Sequence, residues 1–571
     1  MSVEFCNVDV RAVLMNSDFE DDSGDVSSDE ELDPDMPSSS GTQFKNRGVA
    51  TKEEDSEEDS EEGEEQQTKK AKGLQWTCSN FIPSIHSFDN SISGARGKLT
   101  EDGSLFSFFE LFFGPQLMSR IAVETNNYYK HVIERNPTTV KSRLTKWRDT
   151  DANELYLFLA TTLLMSRVKK LKISEYWSND KLIETPIFNE LFSRDRYLIL
   201  LRMLHFSDNS ILTSDHLIKI RVVLDYLRIA FRSCFYPHQN LCIEESLLVL
   251  KGQLSFKQYT PPKRPRFRVK LFVLCDSKTG YILDFIVFTG LPMDLDEYGL
   301  GVSGNAVVTL LQPYLDRGHT IYMDNWYTSP ALFMWLYSRC TNACGMVRKH
   351  RKYMPEMAEK LKKGEYSFRT AEGKLIAVKW QDKKEVWMLS TFHKAEMMET
   401  QRKNCRTGEK LTRPAVVLDY NKNMGTVDKT DTVFGSASSI RKSLKWYIKL
   451  FLHLADLAVH NAHILYQEFN QKKTPFAKFQ LELIREMTER FHVPRKKAAG
   501  RKSAENAPLR LTGRHFPKKI SPNGSRQSLK NCHVCRKRTG ARKRTSYYCQ
   551  DCDAPLCIDN CFETYHTHKV F

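Results

Sequence analysis

No run of about 18 uncharged apolar residues occurs in the 571 residues, and a helix needs about that length to cross a bilayer. The sequence therefore offers no membrane-spanning helix. Its opening, MSVEFCNVDV, lacks the basic-then-apolar order of a secretory leader. A disulfide framework is missing too. Of 14 cysteines, eight stand singly (Cys6, Cys78, Cys234, Cys242, Cys275, Cys340, Cys344, Cys405) and six crowd between Cys532 and Cys561, a pattern that fits a reduced protein with one metal module. Large apolar side chains are scarce in residues 1–73, where SSDEELDPD and EEDSEEDSEEGEE recur. Such a segment cannot bury enough surface to offset the entropy of ordering. The expectation is a soluble intracellular protein with a disordered acidic tail.

Charge divides the chain. Residues 1–70 hold 22 Asp/Glu against 6 Lys/Arg, while residues 71–571 hold 79 Lys/Arg against 48 Asp/Glu, a net of +31. An excess of that size points to a polyanionic partner, with nucleic acid the commonest. Ser27, Ser28, Ser56 and Ser60 lie among acidic residues, the context of an acidophilic kinase site; the alternative is a plain solvating tail.

Helical periodicity begins with SLFSFFELFFGPQLMSRIAVETNNYYKHV (104–132). A second helix follows Asp151, with Glu154 in capping-box position and Leu155, Phe158, Leu159, Thr162 and Leu163 on one face; further helical patterns cover 185–204 and 217–233. The period then shortens towards two. Val269–Cys275 and Tyr281–Phe288 read as a hairpin around Asp276-Ser-Lys-Thr-Gly280. A helix over Gly304–Gly318 and a strand over Thr320–Met323 follow, an α/β arrangement. Residues 366–393 alternate like a small antiparallel sheet, preceded by the basic loop RKHRKYMPEM, and suggest an insertion. Val416–Leu418 resembles another strand. Lys442–Glu468 is a long helix carrying Trp446, Leu450, Leu454, Leu457 and Leu465. Residues 493–530, rich in basic residues, Pro, Gly and Ser, read as a linker, and Pro494-Arg-Lys-Lys497 with Arg501-Lys502 also reads as a nuclear localisation patch.

Three groups of residues carry chemistry. Asp276, Asp324 and Asp428 stand at the edges of secondary structure, with Asp431 one helical turn after Asp428. Carboxylates that converge at strand ends can hold two divalent ions about 3.5–4 Å apart for phosphodiester chemistry, and Mg²⁺ suits oxygen ligands that share the ion with water and phosphate. Spacing alone does not establish that convergence, since Asp is ordinary at turns. Lys257, Tyr259, Lys263, Arg264, Arg266, Arg268 and Lys270 interleave basic and aromatic groups before the first acidic strand end, a strip that would bind phosphates without reading sequence. The third group is the C-terminal module. Cys532-x2-Cys535, Cys549-x2-Cys552, Cys557-x3-Cys561 and His566-x-His568 supply eight nitrogen or sulfur ligands within 37 residues, enough for two tetrahedral Zn²⁺ sites. The expected cross-brace puts Cys532, Cys535, Cys557 and Cys561 on one ion and Cys549, Cys552, His566 and His568 on the other, with His533 a competing ligand. A RING-type ubiquitin ligase also uses cross-braced zinc, but its loops are longer than these.

The runs CIEESLLVLKGQLSFKQYTPPKRPRFRVKLFVLCDSKTGYI (242–282), IYMDNWYTS (321–329) and LDYNKNMGTVDKTD (418–431) resemble the piggyBac transposase family, and most of all its transposable element-derived proteins. WRDTDANEL, RYLILLRMLHFSDN, KEVWMLSTFH, LRLTGRHFPKKI and the cysteine module keep the family's order, so the similarity covers 76–571. It implies an α/β RNase H-like catalytic core inserted in a split helical domain, with a small C-terminal cross-brace zinc domain. The implied chemistry is cut-and-paste transposition of double-stranded DNA between terminal inverted repeats and TTAA targets, by a nuclear homodimer. The implied catalytic residues are Asp276, Asp324, Asp428 and Asp431, the first three binding two Mg²⁺. Trp446 falls where the family places an aromatic near a DNA hairpin; its spacing with Leu450 and Leu454 allows core packing equally. The zinc module would read transposon ends, with Arg536, Lys537, Arg538, Arg542, Lys543 and Arg544 available for phosphates.

The expected domains are an acidic tail (1–75), the helical domain's first part (76–240), the core's first part (241–350), a β-rich insertion (351–408), the core's last part (409–437), the helical domain's second part (438–492), a basic linker (493–530) and the zinc domain (531–571). The sequence departs from the family pattern at Glu244, where the family usually has Asp, at Arg268, where Gly is common, and at Thr426 and Thr432. These departures raise the alternative of a domesticated nuclear DNA-binding protein that no longer transposes.

Overall fold

The computed structural model describes residues 74–96, 103–135, 143–210, 213–249, 258–259, 267–289, 298–403, 408, 410–425, 439, 445–471, 473–493, 515–522 and 527–568. The chain divides into two compact units, 1–493 and 494–571. The acidic tail lies outside the described residues. No described helix is long and apolar enough to cross a membrane.

Phenylalanine density starts the helical part. Phe106, Phe108, Phe109, Phe112 and Phe113 are all buried, the first three on the helix Leu105–Glu110, which Ser104 caps by accepting from Ser107 N. The helix Ala152–Arg167 begins as its sequence dictates, with the Asp151 carboxylate accepting from Glu154 N at 2.8 Å. Glu154 turns instead to Arg196, Nε to Oε1 at 2.9 Å, and to Thr150 at 2.8 Å. Burial would raise its pKa, and the Arg196 bonds hold it below the usual carboxylate range. The helix Trp446–Asn470 is apolar nearly all round, and Leu450, Leu454, Leu457 and Leu465 are at most 1% exposed. A helix of that composition belongs in the middle of a core.

The sheet strands are β1 (Trp76–Thr77), β4 (Asn240–Val249), β5 (Gln258–Tyr259), β6 (Phe267–Asp276), β7 (Ile282–Val287), β8 (Thr320–Met323), β9 (Asn342–Met346), β10 (Tyr366–Ala371), β11 (Leu375–Gln381) and β12 (Glu385–Ser390); the short pair β2 (Gly94–Ala95) and β3 (Phe235–Tyr236) stands apart. The ten run in the order β1-β10-β11-β12-β9-β8-β4-β6, with β5 and β7 both pairing β6. β4, β8 and β9 are parallel, and the other pairs are antiparallel. The helices Gly301–Leu311 and Pro330–Ser338 make the crossovers that parallel strands require.

Two expectations change. The strands of 366–393 do not form a separate sheet: Met388–Ser390 pairs with Cys344–Met346, so they extend the central one. Residues 416–418 are helical, within a helix over 415–425. Three adjacent apolar residues mimic a strand, but Val416, Val417, Tyr420 and Met424 are buried at helical intervals.

Candidate functional site: an acid pair on parallel strands and two metal-ligand clusters

Register decides which acids can meet. Ile243 on β4 lies beside Met323 on β8, so the next residues, Glu244 and Asp324, stand side by side at about one strand spacing, ~4.8 Å. Both are half-buried. Asp276 ends β6, which runs the other way, opposite Leu241. Leu241 is level with Ile321, so Asp276 stands three residues, roughly 10 Å, down the strands from Asp324 and two strand spacings, roughly 10 Å, across. Asp276 and Asp324 therefore cannot share the ion pair that the sequence reading gave them. Glu244, noted there only as a departure, takes the place beside Asp324. Asp428 and Asp431 lie outside the described residues.

Asp276 has another occupation. Wholly buried, it accepts from His238 N at 2.8 Å through Oδ1, and from Thr279 N and Oγ1 at 2.9 and 2.7 Å through Oδ2. His238 Nδ1 lies 3.3 Å from Oδ2. Burial favours the neutral acid, but these hydrogen bonds outweigh it and lower the pKa. The carboxylate thus ties the β6–β7 turn, where Gly280 adopts φ +79° and donates to the Asp276 carbonyl at 2.8 Å. Asn461 of the long helix completes the hairpin, accepting from Ile282 N and donating to Ile282 O.

Asp324 opens a braced turn. Its Oδ1 accepts from Trp326 N at 2.9 Å and its carbonyl from Thr328 Oγ1 at 2.8 Å. A Cβ on Gly345 of β9 would lie 2.2 Å from Thr328 Oγ1 and 2.6 Å from the Met323 carbonyl, so only glycine lets the turn seat there. Arg351, from the basic loop, donates to the carbonyls of Thr328 (3.1 Å) and Trp326 (2.5 Å). On the helix over 415–425, Asp419 accepts from Tyr322 of β8 at 2.6 Å and lies 3.1 Å from His393 Nε2, while His393 Nδ1 meets Ser390 Oγ at 2.8 Å. Burial opposes ionisation of Asp419, and His393 and Tyr322 hold its pKa low. Sequence reading missed Asp419, although it sits within the quoted LDYNKNMG run.

Lys257, Lys263, Arg264 and Arg266 lie outside the described residues, as do the side chains of Tyr259 and Arg268. Lys270 is 8% exposed, ion-paired with Glu245 and 3.8 Å above the Trp326 ring, so it braces the sheet and does not face phosphate. Trp446 is half-buried at the start of the long helix and packs against the core.

In the C-terminal unit, Cys532, Cys535, Cys557 and Cys561 converge as the spacing implied. The second cluster is Cys549, Cys552, His566 and His515. His568 is exposed, and Thr567 Oγ1 lies 2.8 Å from it. His515 Nδ1 lies 3.5 Å from Cys549 Sγ and 3.6 Å from Cys552 Sγ, and His566 Nε2 lies 3.6 Å from Cys552 Sγ. Tetrahedral Zn²⁺, with bonds of about 2.0–2.3 Å to nitrogen and sulfur, spaces its ligands by such distances. His566 Nδ1 donates to the Phe562 carbonyl at 2.7 Å, which leaves Nε2 as the ligating atom. His515 is brought in because Pro517–Lys519 forms a strand against Tyr547–Cys549, inside the segment expected to be linker. Arg536, Lys537, Arg538, Arg542, Lys543 and Arg544 are all exposed on this unit.

Residues 106–463 match the family model described as Transposase IS4, and residues 512–567 match a DDE_Tnp_1-like zinc finger. Human PiggyBac transposable element-derived protein 2 is 24% identical over 405 residues, 69% of this chain and 66% of that protein. Human PiggyBac transposable element-derived protein 3 is 24% identical over 436 residues, 73% of this chain and 70% of that protein. This chain thus spans about two thirds of the length of the first of them. The cryo-EM structure of a piggyBac transposase synaptic complex with hairpin DNA aligns at a TM-score of 0.63 and 22% identity, covering 82% of this chain and 100% of that one, a likeness of fold. With well over half its length matched by the transposase model, and with relatives and fold agreeing, this zinc-finger-bearing chain belongs to the piggyBac transposase family.

Proposed function

We propose that the protein is a piggyBac-type DNA transposase that cleaves and rejoins DNA at TTAA sites, with Glu244, Asp324 and Asp428 as the acids that hold two Mg²⁺. The carrying observation is the parallel register that sets Glu244 beside Asp324. Three antiparallel strands (β7, β6, β4) followed by two parallel ones (β8, β9) support an RNase H-like core. When bound, the ions activate the attacking oxygen and neutralise the leaving one. The chain's own part is to fix the carboxylates: Trp326 N, Thr328, Gly345 and Arg351 hold the Asp324 turn, and Asp419 ties the helix that precedes Asp428 to β8. The exposed arginines and lysines of the zinc unit suit terminal-repeat DNA. A nuclear location through Pro494–Lys497, a homodimer, and an acidophilic kinase acting on the tail complete the reading.

One observation favours the second reading, a domesticated DNA-binding protein. Glu244 is a methylene longer than the aspartate usual there, and an ångström of misplacement can cost about 100-fold in rate. An excision and integration assay in cells, with a marker between candidate terminal repeats, separates the two. Clean repair to TTAA with wild type and none with Asp324→Ala establishes the transposase. Binding to the repeats without excision establishes the second reading.

A further inference from the structure

A second cluster of reactive side chains lies on the β6–β7 turn, outside the acid pair. Asp276 engages His238 twice: Oδ1 accepts from the backbone N at 2.8 Å, and Oδ2 faces ring Nδ1 at 3.3 Å. Facing a carboxylate, Nδ1 carries the ring proton, so Nε2 presents a lone pair. Lys278 donates to that lone pair, Nζ to Nε2 at 3.1 Å. The imidazole is only 14% exposed and its ring centroid lies 5.9 Å from that of Phe235, which holds it in this orientation. Lys278 itself is exposed.

Amine, imidazole and carboxylate therefore stand in line: a nucleophile within hydrogen-bond reach of a base, and a third group that orients the base. Thr279 Oγ1, donating to Oδ2 at 2.7 Å, fixes the far end of the line. A lysine recruited for its charge alone would meet the carboxylate. Here Asp276 is wholly buried, and the imidazole stands between it and the amine. Neither the acid pair nor the zinc unit uses this arrangement.

We propose that Lys278 is an acylation site, an amine nucleophile that takes a small acyl group from a thioester with His238 as its general base. Unprotonated Nζ attacks the thioester carbonyl carbon, and a C–N bond forms. His238 Nε2 takes the proton from the nitrogen of the tetrahedral adduct, while Asp276 stabilises the imidazolium through Nδ1. The C–S bond then breaks, and the imidazolium returns the proton to the departing sulfur. The products are an amide at Lys278 and a free thiol, and the turn has lost one positive charge. Attack by an unprotonated amine is common to all exposed lysines, so the advantage of Lys278 lies in removal of the adduct's proton, which a positioned base accelerates.

The test is incubation of the full-length, zinc-loaded protein with acetyl-CoA at mildly alkaline pH. Peptide mass spectrometry follows acetylation at Lys278 and, as internal references, at the exposed Lys172 and Lys363. Lys278 should react at least about tenfold faster than either reference. His238→Asn can still donate to Asp276 but offers no base at the Nε2 position, and its Lys278 rate should fall to that of the references. His238→Gln, whose amide oxygen can still accept from Lys278, should fall equally, because it keeps the contact and loses the basicity. A wild-type Lys278 no faster than the references overturns the proposal. Retained enhancement in folded His238→Asn or His238→Gln also overturns it, since position and exposure would then suffice. If neither variant folds, the ratio of Lys278 to the references within the wild-type molecule decides.

Discussion

Two acids near one another in sequence have opposite surroundings. Glu244 is half-buried beside Asp324, whereas Asp276 is wholly buried and saturated with donors. Asp276→Ala should therefore act as a folding mutation: it strands the His238 and Thr279 donors and should cost about 2–4 kcal/mol in urea unfolding, while Mn²⁺ affinity stays at the wild-type value. Because the folded pKa of Asp276 is lowered, its contribution is complete above the ordinary Asp range and is lost as pH falls through the lower folded value. Acid unfolding below about pH 4 should thus soften in Asp276→Ala relative to wild type. Glu244→Asp restores the shorter side chain and should raise excision at least tenfold if the transposase reading holds; an unchanged rate would mean that side-chain length is not limiting. Glu244 was legible in the sequence as an anomaly. Its place beside Asp324 was not, because a parallel register between strands some 80 residues apart leaves no local trace.

Elements were more legible than their pairings. Thr320–Met323 and the long helix follow directly from apolar spacing, and the Asp151 cap is where the sequence puts it. The residues 416–418 show the limit, since a three-residue apolar run has no period of its own and only Tyr420 and Met424 reveal the helix. The long helix also carries a pH liability. His453 and His460 are buried within it, and burial lowers both to about 4 from the usual 6.5. Unfolded chain takes up these protons near pH 6.5, and the folded helix does not until about pH 4. Stability from both is therefore full above about 6.5 and declines as pH falls through that window, by up to ~1.4 kcal/mol per unit per histidine. The urea midpoint of wild type should drop between pH 7 and pH 5, and His460→Gln should flatten that slope.

At the scale of the whole molecule the C-terminal unit makes the sharpest claim. Its apolar cluster is small and built around the ligand cysteines, so chelation should unfold residues 515–568 cooperatively while the rest of the chain keeps its melting temperature. Zinc content should fall from about two ions to about one in His515→Ala and stay at two in His568→Ala, which elemental analysis reads directly. His515 escaped the sequence reading because it lies 17 residues before Cys532, in a stretch whose Pro, Gly and basic content resembles a tether. The basic excess outside the tail predicts a steep fall in DNA affinity with salt, and removing residues 1–73, with their opposing charge, should strengthen binding most at low ionic strength.

The two-residue strand β1 pairs Trp76 with Ala371 and Thr77 with Thr370, and Trp76 Nε1 donates to the Tyr353 carbonyl at 2.9 Å. Among the described residues it is the last strand of the sheet on that side, so it covers the Thr370–Ala371 end of β10, whose backbone groups would otherwise form part of an open template for another chain. Trimming the protein up to residue 73 leaves that shield in place. Trimming past residue 77 bares it, and the resulting protein should self-associate with a gain of β-structure even though every residue of the acid pair, the long helix and the zinc unit is still present.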